Sequence, residues 1–319
     1  MEFTFEIGQT NYFIKLKGSG KYDIMKPASV LNYYLGGFTL RTIQVEKITA
    51  EVAQMCKEAA YYLPKDVYEA LKKGRETEQS PVGKDVLDQI IRNAEIARAE
   101  DRPICQDTGM SIIFVEVGQD LHIEGGTLED AINAGVAKGY TEGYLRKSVV
   151  AEPLFDRKNT QNNTPAVIYT KMVAGDKLKI QLAPKGFGSE NKSGIKMLVP
   201  ADGVEGVKKA VLDIILHASC NPCPPMVVGV GIGGTMDQAA YLSKRALLRP
   251  TNVRNDHPKY AELEGELLTL INKTGIGPQL GGTTSALAVN IEWGATHIAG
   301  LPVAVTICCH AMRHAERVL

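Results

Sequence analysis

From about residue 42 to residue 319, the sequence alternates between stretches with helical spacing of apolar residues and short apolar runs typical of buried strands. The stretches with helical spacing are 46–63, 66–73, 80–100, 127–145, 203–218, 235–248 and 257–275. The strand-like runs are 112–118, two runs around an Ala-Gly-Asp turn within 166–186, 226–232 and 302–309. No internal repeat or low-complexity linker divides this region. The pattern therefore predicts an α+β fold, with mixed helices and strands in one large domain over 42–319.

Local signals indicate where two of these helices begin and end. Thr127 stands directly before a stretch with helical spacing, and a threonine hydroxyl in that position caps the first turn of a helix. Pro258 fits the first turn of the last helical stretch, because the N–H that proline lacks is not needed there. Gly275 is predicted to end the same helix.

Residues 1–41 differ from the rest of the chain and are predicted to form an N-terminal appendage. FTFEI (3–7) and YFIKL (12–16) are rich in aromatic and β-branched residues and flank the turn-like GQTN, which predicts a hairpin. The GSGK sequence at 18–21 lacks the full spacing of a phosphate-binding loop and indicates no chemistry by itself.

Charge and hydropathy argue against several classes of protein. The 36 Lys and Arg residues balance 36 Asp and Glu residues, whereas nucleic-acid and membrane-surface proteins usually carry a basic excess. No apolar stretch approaches the roughly 18 residues of a membrane span, and the N-terminus has acids and amides where a secretory signal is apolar. We therefore expect a cytoplasmic protein whose partners include neither nucleic acid nor a membrane.

The sequence GVGIGG satisfies the G-x-G-x-x-G pattern of a dinucleotide site with Gly229, Gly231 and Gly234, after a predicted strand and before a predicted helix. A second strand ending in an acidic residue should follow about 20 positions later. The sequence at 249–260 is instead a polar stretch interrupted by prolines. The glycines therefore predict a tight turn from strand to helix, whose backbone N–H groups are free to face an anion.

Six cysteines are too few for a disulfide framework in a chain of 319 residues, so clustered cysteines are candidates for metal ligands or catalytic groups. Three separated segments, PICQDTGM, NPCPP and CCHAMRH, place cysteines in loops rich in polar or glycine residues. Thiolates from three distant segments fit an iron–sulfur cluster in which one iron has no protein ligand. A redox pair at Cys220 and Cys223 fits less well, because two prolines and a strand follow. Zinc fits less well because Cys308 and Cys309 are adjacent, which is poor geometry for tetrahedral ligation.

Several motifs together resemble the α-type catalytic part of the iron–sulfur hydro-lyases, the class I fumarases and L-tartrate dehydratases. They are ICQDTGM, GFGSENKS followed by KML, NPCPPMVVGVGIGGT, KRALLRP, GPQLGGTTSALAVNIEWGATHIAGLP and CCHAMRHAE. They occur in the order of the family, from about Ile43 to the C-terminus, and residues 1–40 have no recognised counterpart.

The resemblance implies an oxygen-sensitive 4Fe–4S cluster around which the domain is built, held by Cys105, Cys223 and Cys309. Cys105 matches the family's ligand before Gln-Asp-Thr-Gly, Cys223 the ligand before Pro-Pro, and Cys309 the ligand before His-Ala. Cys220 and Cys308 are then neighbours of ligands. Three protein ligands leave one iron open to act as a Lewis acid.

The resemblance also implies roles for polar residues near these cysteines. Asp107 and His297 are expected to be catalytic and to couple in proton handling. The residues expected to bind substrate are Gln106, Asp107, Arg146, Gly188 and His297. The planar guanidinium of Arg146 suits a carboxylate, and Gly188 offers a backbone N–H where a side chain would intrude.

The implied reaction is the reversible hydration of fumarate to (S)-malate, and the implied alternative is dehydration of L-tartrate to oxaloacetate. In this family a β-type part carries further substrate-binding residues and the proposed base. The chain is therefore expected to be one subunit of a heteromer with α–α contacts, acting on a small dicarboxylate. His310 and His314 are expected to donate hydrogen bonds to sulfur beside the cluster. A redox iron–sulfur protein or a zinc-stabilised module is the alternative from a different class.

Overall fold

The computed structural model of the chain describes residues 2–7, 10–17, 21–25 and 40–319. The chain divides into two units, Met1–Thr42 and Ile43–Leu319. In the first unit, strands β1 (Glu2–Ile7), β2 (Thr10–Lys17) and β3 (Lys21–Met25) form an antiparallel sheet in that order. Strand β4 (Arg41–Gln44) runs across the boundary between the units.

The second unit combines helices with two four-stranded sheets. Its helices are α1 (Val45–Tyr61), α2 (Lys65–Thr77), α3 (Pro81–Ala99), α4 (Leu128–Glu142), α5 (Phe187–Glu190), α6 (Gly203–Ala218), α7 (Met236–Ala246) and α8 (Pro258–Asn272). Its strands are β5 (Met110–Gly118), β6 (Leu121–Glu124), β7 (Val167–Val173), β8 (Leu178–Lys185), β9 (Gly194–Leu198), β10 (Met226–Gly233), β11 (Ala286–Gly294), β12 (Leu301–Cys308) and β13 (Ala315–Val318). The α+β fold predicted from the sequence is confirmed.

The predicted helix boundaries agree closely with those observed. The Thr127 hydroxyl accepts a hydrogen bond from the Asp130 N–H at 3.1 Å and caps α4, as predicted. Helix α8 begins at Pro258 but ends at Asn272, before the predicted stop at Gly275. None of the helices described has the length and apolar content that crossing a membrane requires.

The first sheet has the strand order β13-β8-β5-β7, in which β5 is parallel to β7 and antiparallel to β8. Helices α1 and α4 pack on one face of this sheet. There Ile113 and Val115 of β5 form a buried apolar cluster with Val52 of α1 and Val136 of α4. Because successive side chains of a strand point to opposite faces of the sheet, Phe114 lies on the other face of β5, where it joins a separate apolar cluster.

The second sheet has the strand order β11-β10-β12-β9, in which β10 is parallel to β11 and antiparallel to β12. Helices α6 and α8 cover one face of this sheet, where Val228 and Val230 pack with Val211 and Leu267. All residues of β10 are buried, which explains why its sequence is a continuous apolar run.

The glycines of GVGIGG allow helix α7 to lie directly on the other face of β10. A Cβ atom at Gly229 would overlap the backbone oxygen of Ser243, and one at Gly231 would overlap that of Ala239. Gly234 adopts a left-handed conformation with φ of 69° in the turn that leads to α7. The tight turn predicted from the sequence is present, and the first two glycines serve helix packing.

Helix α7 also contacts the first sheet, so it lies between the two sheets. The Tyr241 ring packs 5.5 Å from the Phe114 ring, centroid to centroid. Arg245 Nη2 donates to Glu116 Oε1 at 3.0 Å. The helix therefore fixes the position of one sheet relative to the other.

A buried carboxylate fastens the link between α2 and α3 to the segment before β11. Glu78 is fully buried and accepts hydrogen bonds from the N–H groups of Gln79, Ser80, Thr283 and Thr284, at 2.7 to 3.0 Å. Burial by itself raises the pKa of Glu78, but these hydrogen bonds outweigh it and lower the pKa to about 2.

Glu78→Gln is expected to lower the free energy of unfolding by about 3 kcal/mol at neutral pH, because an amide offers one acceptor oxygen and the carboxylate offers two. Since the folded-state pKa is depressed, the wild-type stabilisation is fully present above the ordinary pKa of 4.5 and is lost as the pH falls toward about 2. Urea unfolding at a series of pH values measures both effects.

Glu69→Gln on the preceding helix α2 is the matched control, because the Glu69 side chain is 55% exposed and forms only a loose ion pair. It should change the free energy of unfolding by less than about 0.5 kcal/mol. A Glu78→Gln variant as stable as wild type at neutral pH would contradict the role assigned to this carboxylate.

Candidate cysteine-lined active site

Two loops leave the same edge of the first sheet and carry predicted site residues. Met110 begins β5, directly after the loop 105–109. It lies opposite Lys185, which ends β8 directly before the connection 186–190, and this connection contains the single-turn helix α5. The antiparallel pairing of β5 and β8 therefore places the Cys-Gln-Asp-Thr-Gly loop beside the Gly-Phe-Gly-Ser-Glu loop.

The other two cysteine loops leave one edge of the second sheet. Cys223 precedes β10, and Cys309 follows β12. Val227 near the start of β10 lies opposite Cys308 at the end of β12. The sequence separation of 86 residues between Cys223 and Cys309 is thus closed by antiparallel pairing.

Hydrogen bonds join these three cysteine loops into one cluster, which we call the cysteine site. The His310 N–H donates to the backbone oxygen of Cys223 at 3.2 Å, and His310 Nδ1 lies 3.0 Å from the same oxygen. Arg313 Nη2 donates to the backbone oxygen of Asp107 at 2.8 Å. The segment after Cys309 therefore contacts both other loops.

The thiols of the cysteine site influence one another. Burial raises the pKa of the Cys223 thiol, and repulsion from Cys309, Cys105 and Cys220 raises it further. A hydrogen bond from the Cys308 thiol lowers the pKa of Cys309, whereas Cys308 itself has a raised pKa because it donates that bond and is buried. Cys309 is therefore the member of this doublet that favours the thiolate form.

The cysteine site is open to solvent and does not form a compact site for one metal ion. Cys223 and Cys220 are exposed, and Cys105 and Cys309 are half-buried. Among the residues that the structure describes, no three His, Cys, Asp or Glu side chains converge closely enough to bind a single metal ion.

The loop that carries Cys105 is held from the side of helix α4. The hydroxyl of the fully buried Tyr140 donates to the backbone oxygen of Thr108 at 2.8 Å. The Thr108 hydroxyl in turn donates to the backbone oxygen of Arg146 at 2.9 Å. Gly109 adopts a φ of 77°, and a Cβ there would lie 2.8 Å from backbone atoms of Lys185. Only glycine fits this position without displacing β8.

The carboxylate of Asp107 bridges the two loops at the edge of the first sheet. Oδ1 accepts a hydrogen bond from the Gly109 N–H, and Oδ2 accepts one from the Phe187 N–H, each at 3.0 Å. A Cβ at Gly186 would lie 3.0 Å from Oδ2, so a larger residue there would press on the carboxylate. Asp107 is thus held in a fixed orientation beside Cys105.

Buried charges hold the Gly-Phe-Gly-Ser-Glu loop. Lys185 Nζ donates to the Ser189 hydroxyl at 2.8 Å and lies 3.4 Å from Glu190 Oε2, while Lys244 of α7 donates to Glu190 Oε1. Burial raises the pKa of Glu190, but the two ammonium groups outweigh this and hold the pKa below its usual range. The loop is thereby tied to the helix between the sheets.

The predicted substrate-binding residues of the cysteine site are solvent-accessible. Gln106 and Arg146 are exposed, and Cys105 Sγ lies 3.4 Å from Gln106 Oε1. Gly188 is exposed as well, and a Cβ built there would meet nothing within 4 Å. The loops therefore leave open space at Gly188 and do not fill it with their own side chains.

The structure does not bring His297 to the cysteine site of the same chain. His297 lies between β11 and β12, where the neighbouring Thr296 hydroxyl donates to the backbone oxygen of Gly234 at 2.9 Å. Strand β12 has eight residues and leads from this segment to Cys309, a length of about 25 Å at roughly 3.3 Å per residue. No described hydrogen bond joins His297 to Asp107.

Of the two other predicted histidines, His310 contacts the backbone of Cys223, as described above. His314 is half-buried, and its Nδ1 atom has no hydrogen-bond partner among the described residues. Burial lowers the pKa of His314, so the neutral imidazole is favoured at neutral pH.

A cavity of about 980 Å³ lies away from these cysteines, between α2, α8 and the loop after α7. Lys65, Lys73, Arg254 and Thr283 contribute to its lining, which includes no cysteine. Volume alone therefore does not identify the site where the predicted residues meet.

The chain is similar to known proteins over most of its length. The model of the family described as fumarate hydratase (Fumerase) matches residues 49–318. The putative L(+)-tartrate dehydratase subunit alpha of Methanocaldococcus jannaschii is 43% identical over 275 residues, covering 84% of this chain and 96% of the relative. The L(+)-tartrate dehydratase subunit alpha of Escherichia coli strain K12 is 36% identical over 274 residues, covering 84% of this chain and 89% of the relative.

Fold, loop motifs and matches together define a hydro-lyase, the class of enzyme that adds water to a double bond or removes it. Within this class, the chain belongs to the fumarate hydratase family. The match includes all three loops of the cysteine site.

Proposed function

We propose that the chain is the α subunit of a two-subunit iron–sulfur hydro-lyase that converts fumarate reversibly to (S)-malate. The observation that carries the proposal is the convergence of the Cys105, Cys223 and Cys309 loops beside the fixed carboxylate of Asp107. Family membership supports the reaction class. The relatives named as alpha subunits support a second, β-type subunit.

The donor set fits a 4Fe–4S cluster held by Cys105, Cys223 and Cys309. Each thiolate in such a cluster binds a different iron, so the ligands need not converge as they do around a single ion. Cys309 is favoured over Cys308 as the ligand, because Cys308 is buried in an apolar cluster whereas Cys309 is only half-buried. When bound, the cluster supplies a Lewis acid at the iron that has no protein ligand.

Side chains around the cysteine site supply binding and proton handling. Asp107 is oriented by two backbone N–H groups, which leaves its remaining lone pairs available for a proton or a substrate hydroxyl. Arg146 suits a substrate carboxylate, because its guanidinium makes no hydrogen bond or ion pair with another described residue. Gln106 and Gly188 offer an amide and a backbone N–H in the same open region.

L-Tartrate is the second candidate substrate, because the relatives compared with this chain are named for it. Malate and tartrate differ by one hydroxyl, and the residues of the cysteine site suit the carboxylates that both carry. A β-type subunit that supplies further contacts would decide between the two substrates.

Because β12 separates His297 from Cys309 within one chain, the predicted catalytic role of His297 requires a second copy of the chain. We therefore propose that His297 of one copy completes the cysteine site of another. This arrangement fits a heteromer with α–α contacts, and the exposure of His297 leaves it accessible to such a contact.

Cys105→Ser, Cys223→Ser and Cys309→Ser are each expected to abolish cluster binding and activity, because an alcohol does not replace a thiolate as an iron ligand. Cys220→Ser and Cys308→Ser are the matched controls and should keep most of both. Iron and sulfide analysis after anaerobic reconstitution measures cluster content. Loss of the cluster in Cys220→Ser but not in Cys223→Ser would show that Cys220 is the ligand. Zinc without sulfide in the wild type would contradict the proposed cluster.

The chain purified alone is expected to be inactive, and addition of the β-type subunit should restore turnover. Spectrophotometric assays with fumarate, malate and L-tartrate measure the preferred substrate as the ratio of kcat/KM values. A ratio that favours tartrate would replace the first candidate substrate by the second. Robust turnover by the chain alone would contradict the need for a second subunit.

Mixed oligomers of a His297→Ala chain and a Cys105→Ser chain test the contribution across copies. Each variant alone should be inactive with the β-type subunit, whereas a mixed pair contains one intact site and should recover about half of the wild-type activity per pair. Co-expression with two different affinity tags isolates the mixed species. Absence of recovery in that species would place His297 and Cys105 of one site in the same chain.

A further inference from the structure

Arg313 is a buried cation without a full set of partners. Its side chain is 2% exposed. Nη2 donates to the backbone oxygen of Asp107 at 2.8 Å, but Nε and Nη1 are buried and have no hydrogen-bond partner among the residues that the structure describes. A guanidinium has five N–H donors and stays charged in proteins, so it does not escape this cost by losing a proton.

An unpaired buried charge is among the most unfavourable arrangements in a folded protein. Native proteins satisfy nearly all of their buried polar groups, so an orphaned N–H group indicates a missing acceptor. Two such groups on one guanidinium indicate an acceptor that is anionic and offers more than one atom.

The Arg313 side chain lies close to two of the three cysteine loops. Arg313 follows Cys309 by four residues in the chain, and its Nη2 atom binds the backbone of Asp107, which follows Cys105 by two residues. The guanidinium therefore lies between two of the three cysteine loops. A four-iron cluster with three thiolate ligands is an anion whose sulfide and thiolate sulfurs accept hydrogen bonds.

We propose that Nε and Nη1 of Arg313 donate hydrogen bonds to sulfur atoms of the cluster held by Cys105, Cys223 and Cys309. The inference rests on the proposed function and assigns to Arg313 a role that the motifs did not indicate. Arg313 is a positioning residue in this role, because it acts on the reaction through the cluster and through the backbone of Asp107.

Two physical consequences follow from this assignment. The cluster relieves the unpaired charge of Arg313, so loading stabilises the protein by more than the iron–thiolate bonds alone provide. Hydrogen bonds and positive charge beside the sulfurs favour the more negative, reduced state, so Arg313 raises the reduction potential of the cluster.

Three variants separate the charge of Arg313 from its donor geometry. Arg313→Met removes both, Arg313→Lys keeps the charge but loses the planar fork, and Arg313→Gln keeps a donor for the Asp107 backbone without the charge. Arg317→Met is the matched control, because Arg317 is a cation of the same terminal segment that pairs with Glu51 and Glu58.

Each chain is purified with its β-type subunit and reconstituted anaerobically with iron and sulfide. The measurements are the iron and sulfide content, the rate of iron loss to a chelator, the reduction potential by spectroscopic titration, and Tm with and without the cluster. Circular dichroism establishes whether each cluster-free variant is folded. If Arg313→Met is not folded, Arg313→Gln or Arg313→Lys is compared with wild type in its place.

Arg313→Met is expected to lose iron about tenfold faster than wild type, which corresponds to one charged hydrogen bond. Its reduction potential should fall, and its gain in Tm on cluster loading should shrink by about 5 °C. Arg313→Lys should lie between Arg313→Met and wild type. Arg317→Met should lower Tm equally with and without the cluster and leave iron loss and potential unchanged.

Iron loss, potential and Tm gain equal to wild type in a folded Arg313→Met or Arg313→Gln variant would overturn the inference. A raised KM with an unchanged cluster would also overturn it, because Arg313 would then bind substrate. A wild-type chain that binds no cluster would refute the proposed function itself, which separates that failure from the failure of this inference.

Discussion

The close packing of helix α7 against the glycine face of β10 is the contact on which the remaining structure depends. Because Gly229 and Gly231 carry no side chains, α7 lies on the second sheet and still reaches the first sheet through Tyr241. The two sheets therefore have a fixed relation, and their loop-bearing edges meet. The same helix carries Lys244, which binds Glu190 of the loop beside Asp107. Strand packing thus governs the geometry of the cysteine site.

The sequence predicts a large part of this architecture, because long helices and fully buried strands produce strong periodic patterns. Strands β9 and β13 gave no such signal, since they are short and largely exposed. The longer and mostly buried strand β11 was not predicted either. The three cysteine loops were recognisable as motifs of polar and glycine residues. The roles of Arg313 and Lys185 were not recognisable, because whether a cation is buried depends on contacts with residues far away in the chain. His297 is the opposite case. It is close to Cys309 in the sequence, but the extended strand β12 lies between them and holds the two residues far apart in space.

The cysteine site lies at the protein surface, where its loops leave room and do not enclose a pocket. Its cysteines and the predicted binding residues Gln106 and Arg146 are exposed or half-buried. A hydro-lyase has to shield its reacting atoms from bulk solvent while admitting the one water molecule that takes part in the reaction. The fixed carboxylate of Asp107 and the open region in front of it are consistent with a site that is completed by other chains.

The origin of the cysteine loops from two different sheets has a mechanical consequence. Cys105 leaves the first sheet, whereas Cys223 and Cys309 leave the second, so any sliding of one sheet along the other changes the distances between the thiols. A rigid group bound to all three would resist that sliding and make the two sheets move as one body. Loss of such a group would then affect the region between the sheets as well as the cysteine site, because the packing of α7 would have to resist shear without its help.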